Sequence, residues 1–191
     1  FDFTDTGFTL TTGNGNTNLS GGNFIYMAFK GSYADYVSDV NTDGTIDSRV
    51  KANPATGFSV VSYTGTGVDG DTTGHGLNQA PELMINKSRD TSGQDWFVFG
   101  YPAGPSAFTE DGSNLRLNTT DSMVQSTVHE VSLDASVITF VDSGHPNGSG
   151  DRRIAYCFHS VAGYSSIGSY AGNGSTSGPT VTTGFKPAFV V

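Results

Sequence analysis

The sequence predicts an all-β fold, arranged as tandem β-sandwich, jelly-roll-like modules that repeat about every 106 residues. Three observations carry this. Ser and Thr together number 45, and 22 Val plus Ile stand against 7 Leu, a balance that favours extended chain over helix. Short apolar runs alternate with Gly, Asn, Asp, Ser and Pro clusters, and no stretch sustains a helical period. Finally, the chain repeats itself, which fixes the architecture before any local assignment is made.

The expected strands, in order, are Phe58 to Thr64, Leu83 to Asn86, Trp96 to Tyr101, Leu115 to Leu117, Val137 to Val141 and Ile154 to His159. Runs at Trp96 and Ile154 are apolar on both faces, as a strand between two packed layers should be. In the last of them Ile154, Tyr156 and Phe158 share one face while Ala155 and Cys157 share the other, the pattern of a close-packed central strand. Ahead of these, Ile46, Ser48, Val50 and Ala52 alternate with Asp47, Arg49 and Lys51, the period of a half-exposed strand.

Two echoes define the units. Gly57-Phe58-Ser59, followed by Ser62-Tyr63-Thr64-Gly65-Thr66-Gly67, returns as Gly163-Tyr164-Ser165, followed by Ser169-Tyr170-Ala171-Gly172-Asn173-Gly174, 106 residues later with one residue added. Pro81-Glu82-Leu83-Met84-Ile85 returns at the same spacing as Pro187-Ala188-Phe189-Val190-Val191. Phe8-Thr9-Leu10 and Ile25-Tyr26-Met27-Ala28-Phe29 correspond to Ile138-Thr139-Phe140 and Ile154-Ala155-Tyr156-Cys157-Phe158. The expected organisation is therefore the end of a preceding repeat (1–30), a connector hairpin (31–56), a complete β-sandwich repeat (57–162) and the start of a following repeat (163–191), with both ends lying inside a unit.

Charge narrows the function. Nine Lys plus Arg against 18 Asp plus Glu give a formal charge of −9, which argues against a phosphate backbone as partner, so no nucleic acid is expected. No apolar run approaches the roughly 18 residues of a spanning helix, and membrane insertion is not expected. The lone Cys157 cannot close an intrachain disulfide, and on an apolar strand it reads as a small core residue rather than a nucleophile.

Several motifs invite chemistry. Asp39, Asn41, Asp43 and Asp47 stand at the first, third, fifth and ninth places of a calcium loop with Gly44 at the sixth, so calcium is the one cofactor the sequence raises. Against it, the twelfth place is Val50 and the residues that follow read as strand, which makes Asn-Thr-Asp-Gly a turn; with that reading there is no cofactor. Gly65-Thr66-Gly67-Val68-Asp69-Gly70 satisfies GxGxxG, but Gly74, Gly76 and Pro81 prevent the helix that would hold a pyrophosphate. His75 and His145, in Gly-rich loops, are expected to be exposed, and the four histidines lack metal-ligand spacing. Glu82, Glu110, Asp111 and Glu130 show no spacing that singles out a glycosidase pair, and no catalytic residue is assigned. Trp96 reads as core, leaving Tyr33, Tyr36 and Tyr101 as the expected ligand-contact aromatics, suited to stacking on sugar rings.

The strings GFSVVSYTGTG, GHGLNQAPELMINKSRD, RRIAYCFHSVAGYSSIGSYAGNG and TTGFKPAFVV resemble the tandem repeats of large structural proteins of marine tailed bacteriophages, described as tail fibre or virion structural proteins. The resemblance spans about Asn23 to Val191. It implies a non-enzymatic virion component with a repeated β domain, a tail fibre or appendage module for host attachment, located at the virion surface. Implied partners are copies of itself, other virion proteins and a host-surface glycan. Two alternatives stay open: a carbohydrate-binding module, with or without calcium, and a polysaccharide depolymerase of a tailspike.

Overall fold

A computed structural model describes residues 2–4, 6–10, 20–21, 23, 26–29, 40–100, 114–122, 130–141 and 144–190. Among these the protein is nearly all β, and its named strands pair antiparallel throughout. In chain order they are β1 (Asp2–Thr4), β2 (Gly7–Thr9), β3 (Val40–Asn41), β4 (Ser48–Asn53), β5 (Phe58–Thr64), β6 (Thr72–Gly74), β7 (Leu83–Ser88), β8 (Phe97–Gly100), β9 (Leu115–Arg116), β10 (Val131–Leu133), β11 (Val137–Phe140) and β12 (Arg152–Phe158). Two single-turn 3-10 helices, Pro54–Thr56 and His145–Asn147, complete the regular structure among the described residues.

Seven strands form one sheet in the order β3-β4-β5-β12-β7-β8-β9, three form another in the order β10-β11-β6, and β1 pairs with β2 alone. β12 is central because its sequence suits both of its faces. Ala155 and Cys157 turn inward and are fully buried, and their small side chains leave room for Val61 and Met84 on the flanking strands. All seven residues of β12 pair with β5, from Arg152 opposite Thr64 to Phe158 opposite Phe58.

One buried cluster draws on both larger sheets. Val61, Tyr63, Met84, Phe97, Phe99, Ala155 and Cys157 come from the seven-stranded sheet, and Leu133, Ile138 and Phe140 from the three-stranded one. Tyr63 stacks on Phe140 across the gap, with ring centroids 5.1 Å apart. On the outer face, Phe29 lies against Phe58 at 4.6 Å and Phe158 at 5.7 Å.

The stretch read as a connector hairpin supplies β3 and β4, and β4 pairs along six residues with β5. Its alternation is as the sequence implied, with Ile46 and Ser48 buried and Val50 and Ala52 packed against the core. Three expectations are corrected. His75 is fully buried rather than exposed, because Gly74 and Gly76 let the chain run close beneath Asn41 and Val50. Trp96 is half-buried rather than core: it precedes β8 and stacks on outward-facing Tyr156 at 6.4 Å, while Phe97 and Phe99 fill the interior. Residues 163–190 contain no strand, although their twin at 57–85 holds β5, β6 and the start of β7; a strand needs paired neighbours, which β5 finds in β4 and β12.

Candidate functional site

The inner polar groups tie the seven-stranded sheet to the loops beside it. Tyr63 Oη donates to the Pro146 carbonyl at 2.6 Å and accepts from Asn86 Nδ2 at 2.9 Å. Arg153 is 1 % exposed. Its Nη1 donates to Asn86 Oδ1 at 3.3 Å, and its Nη2 donates to Gln94 Oε1 at 2.8 Å and lies 2.7 Å from Asp151 Oδ2. Ser88 Oγ in turn donates to Asp151 Oδ1 at 2.7 Å. Asn147, also fully buried, accepts from the Thr66 amide and donates to the Val68 carbonyl, each at 2.9 Å. Burial holds the Tyr63 hydroxyl well above the ordinary tyrosine range, opposed by its Asn86 hydrogen bond and the nearby Arg153 charge. These atoms are turned on one another, which makes them structural.

The same holds for other residues with chemical potential. Burial pushes the Cys157 thiol up to about 12, which leaves the protonated, unreactive form. The GxGxxG glycines spend their amides on protein carbonyls: Gly65 on Asp151 at 2.9 Å, Gly67 on Asn147 at 2.8 Å and Gly70 on Phe140 at 2.6 Å. Gly65 has to be glycine, since a Cβ there would stand 2.4 Å from the Gly148 carbonyl oxygen. Glu82 Oε2 accepts from the Ser160 amide at 2.6 Å, and Glu130 Oε1 from Asn114 Nδ2 at 3.2 Å. Glu110 and Asp111 lie outside the described residues.

The calcium-loop residues are brought together only in part. Asn41 Oδ1 accepts from the Asp43 amide at 2.9 Å, and both side chains pack over Gly74. Asp47 lies elsewhere, in a depression beside Arg49, and Asp39 falls outside the described residues. Among the described residues no group of three or more His, Cys, Asp or Glu side chains is placed to hold a metal ion. Tyr33, Tyr36 and Tyr101 also lie outside the described residues.

His75 is buried with both ring nitrogens engaged. Nδ1 accepts from the Leu77 amide at 3.2 Å, so Nε2 carries the proton toward the Asp134 carbonyl at 3.0 Å. Burial lowers its pKa, and the neighbouring His159 adds to this, against the raising effects of Asp134 and Asp43. The sign follows from linkage: unfolded His75 takes up a proton below about pH 6.5, whereas the folded ring resists it. The stability it confers is complete above that pH and is lost as pH falls toward its folded value. Urea midpoints should therefore decline between pH 7 and 5, and His75→Gln should flatten that slope; an unchanged slope would refute the assignment. Asp134, lowered by the Val137 and Ser136 amides, acts with the same sign in a lower window, near and below about pH 4.

What faces solvent is different. A shallow depression of about 320 Å³ opens on the outer side of the seven-stranded sheet, over β4, β5 and the start of β12. Arg49, Arg89 and Arg152 line it with Asp47, Ser62 and Thr64, so three of the chain's nine basic residues meet in one place. Arg89 Nη1 donates to Ser62 Oγ at 3.2 Å, and Arg152 Nε donates to both Asp90 carboxylate oxygens at 2.9 and 3.0 Å. Arg152 holds the Asp90 carboxyl at about 2, below the usual carboxylate range. Guanidinium groups around an open floor of hydroxyls suit a carboxylate or sulfate group. Sequence reasoning missed this cluster. Alternation places Arg49 outward, but only the registers of β4 and β12 on β5 bring Arg49 beside Ser62 and Arg152 beside Thr64.

Sheets and site together define an all-β domain of antiparallel sheets whose polar interior is structural and whose outer depression gathers three arginines beside Asp47 and Asp90. The chain belongs to the family described as a domain of unknown function (DUF7483), which matches residues 1–191. Neither the curated proteins nor the solved structures give a match. No helix among the described residues is long and apolar enough to cross a membrane.

Proposed function

We propose that the protein is a non-enzymatic β-sandwich module of a tandem array, in a tail fibre or comparable appendage of a virion, serving host attachment. The observation that carries this is the use made of the buried polar residues: Tyr63, Asn86, Asn147 and Arg153 all bind other parts of the scaffold. A stiff spacer built from β units needs such internal cross-links, with loops free to vary on the outside. Supporting it are the 106-residue echo, one core shared by two sheets, and the resemblance of the repeat strings to phage structural proteins.

Host contact on this reading falls to the arginine-lined depression, which suits acidic sugars of a host surface. The alternative of a carbohydrate-binding module draws on the same feature. One experiment with two readouts tests the proposal. Density of intact particles should place the module in an appendage, and an array of host glycans should show no chain shortening by the protein. Depolymerised glycan, or a module located away from any appendage, would refute it.

A further inference from the structure

The fold sorts the charges of the chain. None of the strands in the seven-stranded sheet holds an Asp or Glu, although the chain carries 18, while six of its nine Lys and Arg lie in those strands. Strands disfavour Asp, Glu and Lys, so propensity accounts for the missing acids but not for the retained lysines. Two of the six serve the interior: Arg153 is paired with Asp151, and Arg116 lies over the Phe97 ring and pairs with Asp95. The others face outward. On β4 Ser48 is buried and Arg49 exposed, and Lys51 follows Arg49 in the alternation. Lys87 alternates with buried Asn86 and Ser88 on β7, and Arg152 with buried Arg153 on β12. Exposed Arg89, one residue beyond β7, makes a fifth cation. Against these stand Asp47 and Asp90, and Asp90 is engaged by Arg152. Lys87 and Arg89 donate to neutral partners, the Gln94 carbonyl and the Ser62 hydroxyl, which leaves their charges uncompensated. Arg49 has no hydrogen-bond or ion-pair partner among the described residues.

Next to these cations the same face is apolar. Val60, Ile85 and Tyr156 stand in register across β5, β7 and β12, and with Ile154 they are only half-buried. Trp96 lies against this patch, its ring within 14° of parallel to that of Tyr156 at 6.4 Å. The carboxylate beside it, Asp95, is the one paired with Arg116. At the far end Phe29 lies over Phe58 and Phe158. From Arg152 to Tyr156 is four residues of one strand, about 13 Å at about 3.3 Å per residue. Guanidinium groups, the Ser62 and Thr64 hydroxyls and flat aromatic rings therefore succeed one another along β12 and its neighbours.

We propose that the outer face of the seven-stranded sheet binds an acidic oligosaccharide lengthwise along β12, its carboxylate or sulfate groups on Arg49 and Arg89 and the apolar face of one sugar ring on the Trp96–Tyr156 pair. The match is in kind and in length. An acidic sugar chain presents anionic groups, hydroxyls and apolar ring faces, and each meets its complement here. The reach from arginines to aromatics exceeds a single sugar ring, so the ligand is a chain of several and not a monosaccharide. A nucleic acid fits worse, since it carries charge about every 1.7 Å of duplex axis and beyond this face would meet a chain of net charge −9. The site rests on the host-glycan reading above, and the two fail apart. Loss of glycan affinity would leave an appendage location standing, and a different location would leave the affinity standing.

The test is isothermal titration calorimetry of the full chain with hexagalacturonate for the carboxylate, a carrageenan hexasaccharide for the sulfate and maltohexaose as the neutral sugar. At least one acidic hexasaccharide should bind, more weakly as salt rises, and maltohexaose should bind far more weakly than it. Arg49→Ala should weaken binding about ten-fold and flatten its salt dependence. Trp96→Ala should weaken it several-fold with the salt dependence kept. Arg116→Ala removes the same charge from the inner side of the sheet, opposite Phe97, and should leave the affinity unchanged. Arg49 is exposed and Trp96 half-buried, and unchanged circular dichroism checks that both variants fold. Binding of neither acidic sugar, maltohexaose bound as tightly as they are, equal losses for Arg49→Ala and Arg116→Ala, or no loss for Trp96→Ala would each overturn the proposal. So would a short single-stranded DNA bound more tightly than either acidic sugar in the same salt.

Discussion

Asp151→Ala should cost about 3–5 kcal/mol of stability, read as a large drop in the urea midpoint, because it strands the buried Arg153 guanidinium without its counter-ion. Arg153 is 1 % exposed and projects from the inner face of β12, where its neighbours in the same alternation are Ala155 and Cys157. Asn86 and Gln94 would still accept from it, but neither carries charge. The double change Asp151→Ala with Arg153→Met removes both charges and should recover most of the loss, since the desolvation cost disappears with the pair. Arg152→Ala, one residue away in an exposed pair with Asp90, should leave the midpoint close to that of the wild type. A midpoint for Asp151→Ala as close to wild type as that of Arg152→Ala would show that the buried pair contributes no more than the exposed one.

Gly57→Ala is the second large effect, about 3 kcal/mol, from two causes acting together. Gly57 has φ of 68°, where an L side chain is strained, and an added Cβ would stand 2.3 Å from the His159 carbonyl oxygen and 2.9 Å from its Nδ1. The residue sits where β5 begins, next to the Phe58–Phe158 pair and bonded through its own carbonyl to the His159 amide at 2.8 Å. Relief of the clash therefore has to open the end of the longest ladder in the sheet. Gly70→Ala separates the causes: its φ is 85° with nothing within 4 Å of an added Cβ, so only the backbone cost of about 1–2 kcal/mol should appear. Equal losses for the two variants, measured by urea denaturation, would remove the steric part of the account.

Much of the sheet is legible in the sequence. β5 was readable to its limits, Phe58 to Thr64, and β7, β8, β9, β11 and β12 to within a few residues, because each alternates or runs apolar between turn residues. β6 and β10 were not: Thr72-Thr73-Gly74 carries no apolar side chain and Val131-Ser132-Leu133 is only three residues long, and their strand form comes from β11, which lies between them. The interior polar network was equally hidden, since an arginine in an alternating run reads as an outward residue until Asp151, Asn86 and Gln94 are brought around it. His75 misled for a related reason: the glycines that suggest an open loop are what allow close approach and burial.

The chain holds a single tryptophan, and its place against Tyr156 outside the main core has a practical meaning. Intrinsic fluorescence excited at the indole reports events on that outer surface, so a ligand or a neighbouring protein settling there will change the emission while the interior stays intact. Melting of the interior is better followed through the backbone signal in the far ultraviolet. Where the two readouts part company, the gap between them measures how independently the outer layer moves.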